Sequence, residues 1–194
     1  MINIDERLNK IEKIITDKDF RENKGLGNEV GYYVFDYKPN EELDIRDYIL
    51  YLKNKVNNGN KGFKIIEFDL YEMMIEILSD EGCLENCFEI EQEDGFIEMA
   101  EAIVETLGLD ETNDLNLIIS RIMKNTPDEG VVVLLTGIGK CYPIIRSHNI
   151  LNNLHQVLDK VPVVLFFPGK YSGQDLQVFG SVKDGNYYRA FRLE

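Results

Sequence analysis

The chain has 194 residues, of which 44% are hydrophobic and 29% are charged, and its net charge is −14 at pH 7. These values predict one folded domain over residues 1–194 and exclude a disordered chain. No apolar run reaches the roughly 20 residues of a membrane span, the N-terminus is not typical of a signal peptide, and three cysteines make no disulfide framework, so we expect a cytoplasmic protein without a membrane partner.

Helix and strand patterns alternate along the chain. Hydrophobic residues at helical spacing occur at 3–18, 43–56, 71–78, 96–107, 114–124 and 147–158. Strand patterns occur at 32–37, 63–70, 131–136 and 161–167. The last two strands are apolar on both faces, which is typical of central strands covered by helices above and below.

This alternation predicts an α/β fold, with one three-layer domain, a largely parallel twisted sheet and helices on both faces. Two C-terminal patterns, LQVFGSV and NYYRAFRL, flank Lys183-Asp184-Gly185-Asn186 and predict an antiparallel C-terminal hairpin with its turn there. Residues 71–126, roughly, are predicted to form a helical, acidic insertion.

Charge is distributed unevenly along the chain. Seventeen acidic residues lie between Glu67 and Asp114, whereas no basic residue occurs between Lys64 and Arg121. Residues 131–194 hold 7 Lys and Arg against 4 Asp and Glu. The acidic segment is either a solvated helical surface or a docking surface for a basic partner. The predicted acidic interaction face comprises Glu72, Glu76, Glu85, Glu89, Glu98, Glu101 and Glu105.

The segment VVVLLTGIGKCYP places a glycine-rich turn after a strand, as nucleotide-binding loops do. A P-loop requires G-x-x-x-x-G-K-[ST]. Counting from Gly139-Lys140, the first glycine position is Leu134 and the hydroxyl position is Cys141, which is a poor ligand for Mg²⁺. The sequence therefore predicts a degenerate P-loop-like core without a Walker motif.

Two strand-end segments, GIGK (137–140) and PGKYSG (168–173), suggest a shared surface. If their strands are parallel, both segments lie at the same end of the sheet, where the carboxyl ends of the strands meet. The alternative is a pair of ordinary surface loops whose glycines serve turn geometry. The predicted partner- or anion-binding rim comprises Lys140, Arg146, His148, Asn149, Lys170, Tyr171, Ser172 and Gln174.

No motif indicates catalysis. Cys83, Cys87 and Cys141 do not follow a zinc-site spacing. Glu67 and Asp69 share a strand face and have the ligand type for Mg²⁺, but no third ligand is indicated. We therefore predict no catalytic residue, no metal site, no cofactor and no enzymatic activity.

Four segments together resemble the BrxB family of bacterial BREX phage-defence systems. They are GLGNEVGYYVFDY, LLTGIGKCYPIIRSHNILNNL, VPVVLFFPGKYSGQDLQVFG and NYYRAFRL. The resemblance covers nearly the whole chain and is weakest at about 80–115. It implies a non-catalytic adaptor or assembly subunit, and no catalytic residues can be transferred from the family.

The same resemblance implies the partners. A PglZ-type protein is expected to bind directly, a BrxC-type ATPase is the next candidate, and a PglX-type methyltransferase is expected to be an indirect partner. The alternative function is a nucleotide- or nucleic-acid-binding module that uses residues 137–140 and 168–174. The net charge of −14 argues against direct nucleic-acid binding, because neutralising phosphates requires clustered Lys and Arg.

Overall fold

A computed structural model of the chain describes residues 3–24, 31–110, 115–180, 182–183 and 190–193. Within these ranges none of the helices is long and apolar enough to cross a membrane. The helices are α1 (Ile4–Thr16), α2 (Lys18–Arg21), α3 (Glu42–Asn57), α4 (Leu70–Asp80), α5 (Leu84–Glu93), α6 (Phe96–Leu107), α7 (Leu117–Lys124) and α8 (Ser147–Val157). The strands are β1 (Tyr32–Tyr37), β2 (Lys64–Asp69), β3 (Val131–Thr136), β4 (Val163–Tyr171), β5 (Leu176–Val178), β6 (Val182–Lys183) and β7 (Phe191–Arg192).

The main sheet has the strand order β2-β3-β4-β1-β7. Every pair along this path is parallel. The three longer pairings align β1 with β4, β2 with β3, and the start of β4 with the end of β3. The prediction of an α/β fold with a largely parallel sheet is confirmed.

The core lies on both sides of this sheet because successive strand residues point to opposite faces. In β3, Val131, Val133 and Leu135 pack into one hydrophobic cluster with α4, α6, α7 and α8. Val132 and Leu134 pack into the other with α1 and α3. All six residues of β3 are buried, which confirms the expectation of a doubly covered central strand.

The chain direction explains which helices cover which face. The connection from β1 to β2 crosses the sheet in one direction, and the connections from β2 to β3 and from β3 to β4 run back in the other. Right-handed crossovers therefore require α3 on one face and α4–α8 on the opposite face. The two hydrophobic clusters show this division.

Asp69 and Gly108 fix two helix ends near the surface described below. Asp69 accepts hydrogen bonds from the backbone N–H groups of Tyr71 and Glu72, which fixes the start of α4 at the end of β2. Helix α6 ends at Gly108, which has φ 62°. A Cβ atom at this glycine would lie 2.5 Å from the carbonyl oxygen of Leu115, so this close turn requires glycine.

The C-terminal part differs in detail from the prediction. Strand β4 does not end before Pro168 but continues to Tyr171, and it pairs antiparallel with β5, which pairs antiparallel with β6. An antiparallel hairpin is present, but it is formed by β5 and β6, and its turn begins at Phe179-Gly180. The predicted turn at 183–186 lies largely outside the described residues, and β7 pairs in parallel with β1. Pro168 fits because the pairing of β4 with β3 ends at Leu165.

Strand β2 lies at an edge of the sheet, and Asn57 covers part of that edge. The Asn57 side-chain amide donates to the carbonyl oxygen of Ile65 at 2.9 Å and accepts from the Ile65 N–H at 2.7 Å. Lys64 donates its own N–H to Gly130, in the turn before β3. The outward backbone groups of Ile65 are thus satisfied by a side chain instead of by another strand.

Candidate interaction groove

The two strand-end segments lie at the same end of the sheet, at the carboxyl ends of the paired strands, because β3 and β4 are parallel neighbours. Lys140, however, is engaged within the protein. Its Nζ lies 2.7 Å from Asp69 Oδ2 and 3.3 Å from Glu72 Oε1, and 5.0 Å from the ring centroid of Tyr71. Burial favours a lower pKa for Lys140, but the hydrogen bond and charge of Asp69 outweigh it and raise the pKa. The positive charge of Lys140 is therefore compensated within the protein by Asp69 and Glu72.

The neighbouring carboxylate is neutralised in the same way. Glu67 Oε2 lies 2.6 Å from Lys53 Nζ, and Glu67 Oε1 accepts from the Thr136 hydroxyl at 2.9 Å. Glu67 and Asp69 thus each have a lysine partner and need no metal ion to balance their charge. We call this group the edge cluster; its members are Lys53, Glu67, Asp69, Glu72, Thr136 and Lys140.

The turn after β3 does not form a phosphate loop. Residues 137–146 separate β3 from α8, so no helix begins at Gly139-Lys140 as it would in a P-loop. The Cys141 thiol is buried and donates to the Gly137 carbonyl oxygen at 3.4 Å. Burial raises the pKa of Cys141 to about 12. The absence of a Walker motif, predicted from sequence, agrees with this geometry.

Open α/β sheets generally bind ligands at the carboxyl ends of the strands, at the point where the strand order reverses. In this sheet that point lies between β1 and β4. Asp36 lies at this position and is only 7% exposed. Its carboxylate lies 3.1 Å from Arg7 and 3.4 Å from Arg192, and accepts from the Tyr171 N–H at 2.9 Å. The protein's own groups therefore occupy the polar position that a ligand would use.

Part of the predicted rim is not available for binding. Tyr171 was expected in an exposed loop, but it is 1% exposed and its hydroxyl donates to the Ala190 carbonyl oxygen at 2.7 Å. The reason is that β4 continues past the edge and turns this side chain inward. Ser172 accepts hydrogen bonds from the N–H groups of Gln174 and Asp175 and so shapes a turn. Lys170 and Gln174 are exposed.

Five of the other predicted residues line an open groove of about 740 Å³ between α6 and residues 143–149. Arg146, His148 and Asn149 of the predicted rim form one wall, and Glu101 and Glu105 of the predicted acidic face form the other. The remaining lining residues are Phe96, Ile97, Ala100, Val104, Gly108, Asp110, Pro143 and Ile144. The structure thus brings together parts of two surfaces that were predicted separately.

The groove has an apolar floor and a charged rim. Ala100, Val104 and Ile144 are half-buried, whereas the charged lining residues Glu101, Glu105, Asp110 and Arg146 are exposed. At one end, Phe96 and Ile97 are 47% and 67% exposed. An apolar centre within a polar rim is the usual arrangement of a protein–protein interface.

The charges of the groove differ from those of the edge cluster. No ion pair to Glu101, Glu105, Asp110 or Arg146 occurs within the described part of the chain, and none to Glu98, which is exposed on α6 but does not line the groove. In contrast, two members of the predicted acidic face have internal partners: Glu72 pairs with Lys140, and Glu76 lies 3.6 Å from Arg121. Glu85 and Glu89, on α5, are exposed but do not line the groove.

Two groove residues are not indicated by the helical pattern at 96–107. That pattern predicts Phe96 on the apolar side of the helix, yet Phe96 is 47% exposed, and it does not include Ile97, which is 67% exposed. A signal was present, because two adjacent large apolar residues at the start of a helix cannot both face the same core. Pro143 and Ile144 carried no such signal.

The fold and the groove define a class: a three-layer α/β protein with an open, apolar-floored groove flanked by charged residues. Comparisons with known proteins identify the family. The family model "BREX protein BrxB" matches residues 66–193. A BREX protein BrxB of Bacillus cereus (strain H3081.97) is 49% identical over 195 residues, covering 100% of this chain and 98% of that protein. One of Escherichia coli O9:H4 (strain HS) is 30% identical over 190 residues, covering 98% and 91%.

The chain therefore belongs to the BrxB family and is a component of a BREX system, as the four sequence segments indicated. No solved structure matches this one.

Proposed function

We propose that this protein is a non-catalytic adaptor subunit of a BREX phage-defence complex, and that it binds a larger subunit through the groove between α6 and residues 143–149. The observation that carries the proposal is the groove's anatomy, in which exposed Ile97 and a half-buried apolar floor lie between charged residues that form no ion pair with the residues described. Membership of the BrxB family supports a role in phage defence.

The expected direct partner is the PglZ-type protein of the same system. A BrxC-type ATPase is the second candidate, since an adaptor could bridge the two, and a PglX-type methyltransferase would be reached indirectly. The nucleotide-binding alternative is weaker than it was from sequence, because Lys140 is paired with Asp69 and because Asp36 is held by two arginines.

Size-exclusion chromatography with light scattering, on this protein alone and mixed with the PglZ-type protein, tests the proposal. Ile97→Asp should weaken the mixed complex at least about tenfold, because a charge in an apolar contact must be desolvated. The matched control is Leu43→Asp. Leu43 and Ile97 are each the second residue of a helix, are 71% and 67% exposed, and lie on opposite faces of the sheet.

Leu43→Asp should leave the mixed complex unchanged. If neither the PglZ-type nor the BrxC-type protein forms a complex with the wild-type chain, the adaptor proposal is wrong. If a complex forms but both variants behave alike, the adaptor role stands and the groove is not its binding site. Addition of ATP, measured as a thermal shift, should give no stabilisation; a shift of several degrees would favour the nucleotide-binding alternative.

A further inference from the structure

We infer that the groove receives an amphipathic helix of the partner that carries Lys or Arg beside its apolar residues. This inference rests on the proposed adaptor function and specifies the chemistry of the segment that is bound. It is carried by the groove's apolar floor, by the uncompensated charge of α6, and by the absence of open backbone groups along that helix.

The first step concerns the charge of α6. Glu101 and Glu105 are four residues apart on the wall of the groove, and Asp110 follows the helix end. Like charges at this spacing repel each other. The last turn of α6 contains no basic residue, so the helix itself does not complement the partial negative charge of its C-terminus. A cation placed here would relieve both unfavourable interactions.

The second step is that this cation must come from outside α4–α6. No basic residue occurs in the sequence between Lys64 and Arg121. Arg121 is already engaged with Asp80 and Glu76. Arg146, on the opposite wall, forms no ion pair with the described residues, so it does not neutralise the carboxylates of α6. A basic segment of a partner is complementary to this wall.

The third step concerns the shape of the bound segment. The α6 residues that line the groove span 96–108, which is about 20 Å at the rise of an α-helix. A helix satisfies its own backbone groups internally, so α6 offers a bound segment side chains but no row of free N–H and C=O groups. The segment must therefore satisfy its own backbone hydrogen bonds, which favours a helix of about three turns over an extended strand.

A labelled model peptide tests this inference directly. The peptide consists of about 12 Leu and Lys residues with Leu at helical spacing, and its control has the same composition in scrambled order. By fluorescence anisotropy at about 0.15 M salt, the patterned peptide should bind the full chain at least about tenfold more tightly than the scrambled one, because only the patterned peptide presents an apolar face and a basic face together.

Matched variants distinguish peptide binding in the groove from attraction of the peptide to the protein's overall negative charge. Glu101→Gln with Glu105→Gln should weaken binding of the patterned peptide by about fivefold or more. Glu85→Gln with Glu89→Gln removes the same charge at the same spacing from α5, outside the groove, and should change binding less than about twofold. Equal binding of the two peptides, or equal loss in the two double variants, would overturn the inference.

Competition separates this inference from the adaptor proposal. The patterned peptide should displace the PglZ-type protein from a preformed complex. A complex that resists the peptide would refute the inferred helix but leave the adaptor role intact. Failure of the wild-type chain to form any complex would refute the adaptor role whether or not the peptide binds.

Discussion

The edge cluster and the groove both contain acidic residues near the surface, but they differ in how the charges are compensated. At the edge cluster, Glu67 and Asp69 each have a lysine Nζ within 2.7 Å. In the groove, Glu101 and Glu105 have no ion pair with any described residue. Charge that is compensated within the fold stabilises it, and charge that is left uncompensated is available to a partner. The sequence alone does not distinguish these two kinds of charge.

The largest expected effect is on stability, at the end of β1. Asp36→Ala removes the buried carboxylate that accepts hydrogen bonds from Arg7 and from the Tyr171 N–H, and it should lower the free energy of unfolding by about 3 kcal/mol. Urea denaturation measures this loss. Asp128→Ala is the control, since Asp128 also forms an ion pair, with Lys160, but both side chains are exposed. A loss no larger than in the control would mean that Asp36 is not a structural anchor.

A smaller loss is expected in the edge cluster. Lys140→Met retains the apolar stem but removes the charge between Asp69 and Glu72, and should lower the unfolding free energy by about 1 kcal/mol because the pair is partly exposed. Binding to the PglZ-type protein should not change. Weaker binding at unchanged stability would mean that Lys140 contributes to binding of the partner and not to the stability of the fold.

The same pair predicts the pH dependence of stability. The pKa of Lys140 is raised above its ordinary value of 10.5 by Asp69, despite burial. The stabilisation is therefore fully present below pH 10.5 and is lost as the pH rises through the folded-state pKa. The difference between wild type and Lys140→Met should stay constant from pH 7 to about 9.5 and shrink above about 10.5. A difference that is already lost by pH 9 would contradict a raised pKa.

In the groove, removing a charge should affect binding and not folding. Arg146→Gln should change the unfolding free energy by less than about 0.5 kcal/mol. It should strengthen binding of the Leu/Lys peptide by up to about twofold, because one repelling cation is lost. Weaker binding would instead indicate that the Arg146 side chain contributes favourable packing against the peptide.

The smallest effect concerns a thiol beside the edge cluster. Burial raises the pKa of Cys141 to about 12, so iodoacetamide at pH 8 should leave it unmodified while half-buried Cys83 is labelled. Peptide mapping by mass spectrometry resolves the two sites. Labelling of Cys141 should increase in Lys140→Met if the ion pair holds the 137–146 turn closed; identical labelling would show that hydrophobic packing alone holds it.

The elements that the sequence predicted well are those with strong local signals. The bounds of β1, β3 and α6 match the predicted ranges at 32–37, 131–136 and 96–107. In β3 the signal is an unbroken apolar run, and in α6 it is a helical hydrophobic repeat. Helix α5 was not predicted individually, because it buries only Cys87 and so lacks an apolar stripe.

The site was harder to predict because its geometry depends on distant parts of the chain. Lys140 lies 71 residues from Asp69, and no local pattern indicates that they meet. Tyr171 was assigned to a loop because Pro168-Gly169 is typical of a turn, whereas β5 pairs with this segment and keeps it extended. The groove lies between α6 and residues 143–149, which are far apart in the sequence, so no local pattern indicates it.

The amide of Asn57 has a consequence for the unbound protein. All residues of β2 are described. The Asn57 side chain satisfies the outward backbone N–H and C=O of Ile65, and α4 begins directly after Asp69. Only Glu67 then presents outward backbone groups in the middle of the strand. Exposed strand edges are the usual starting points of aggregation. With a single residue left open in the middle of β2, this edge of the sheet disfavours the addition of a strand from a second copy of the chain.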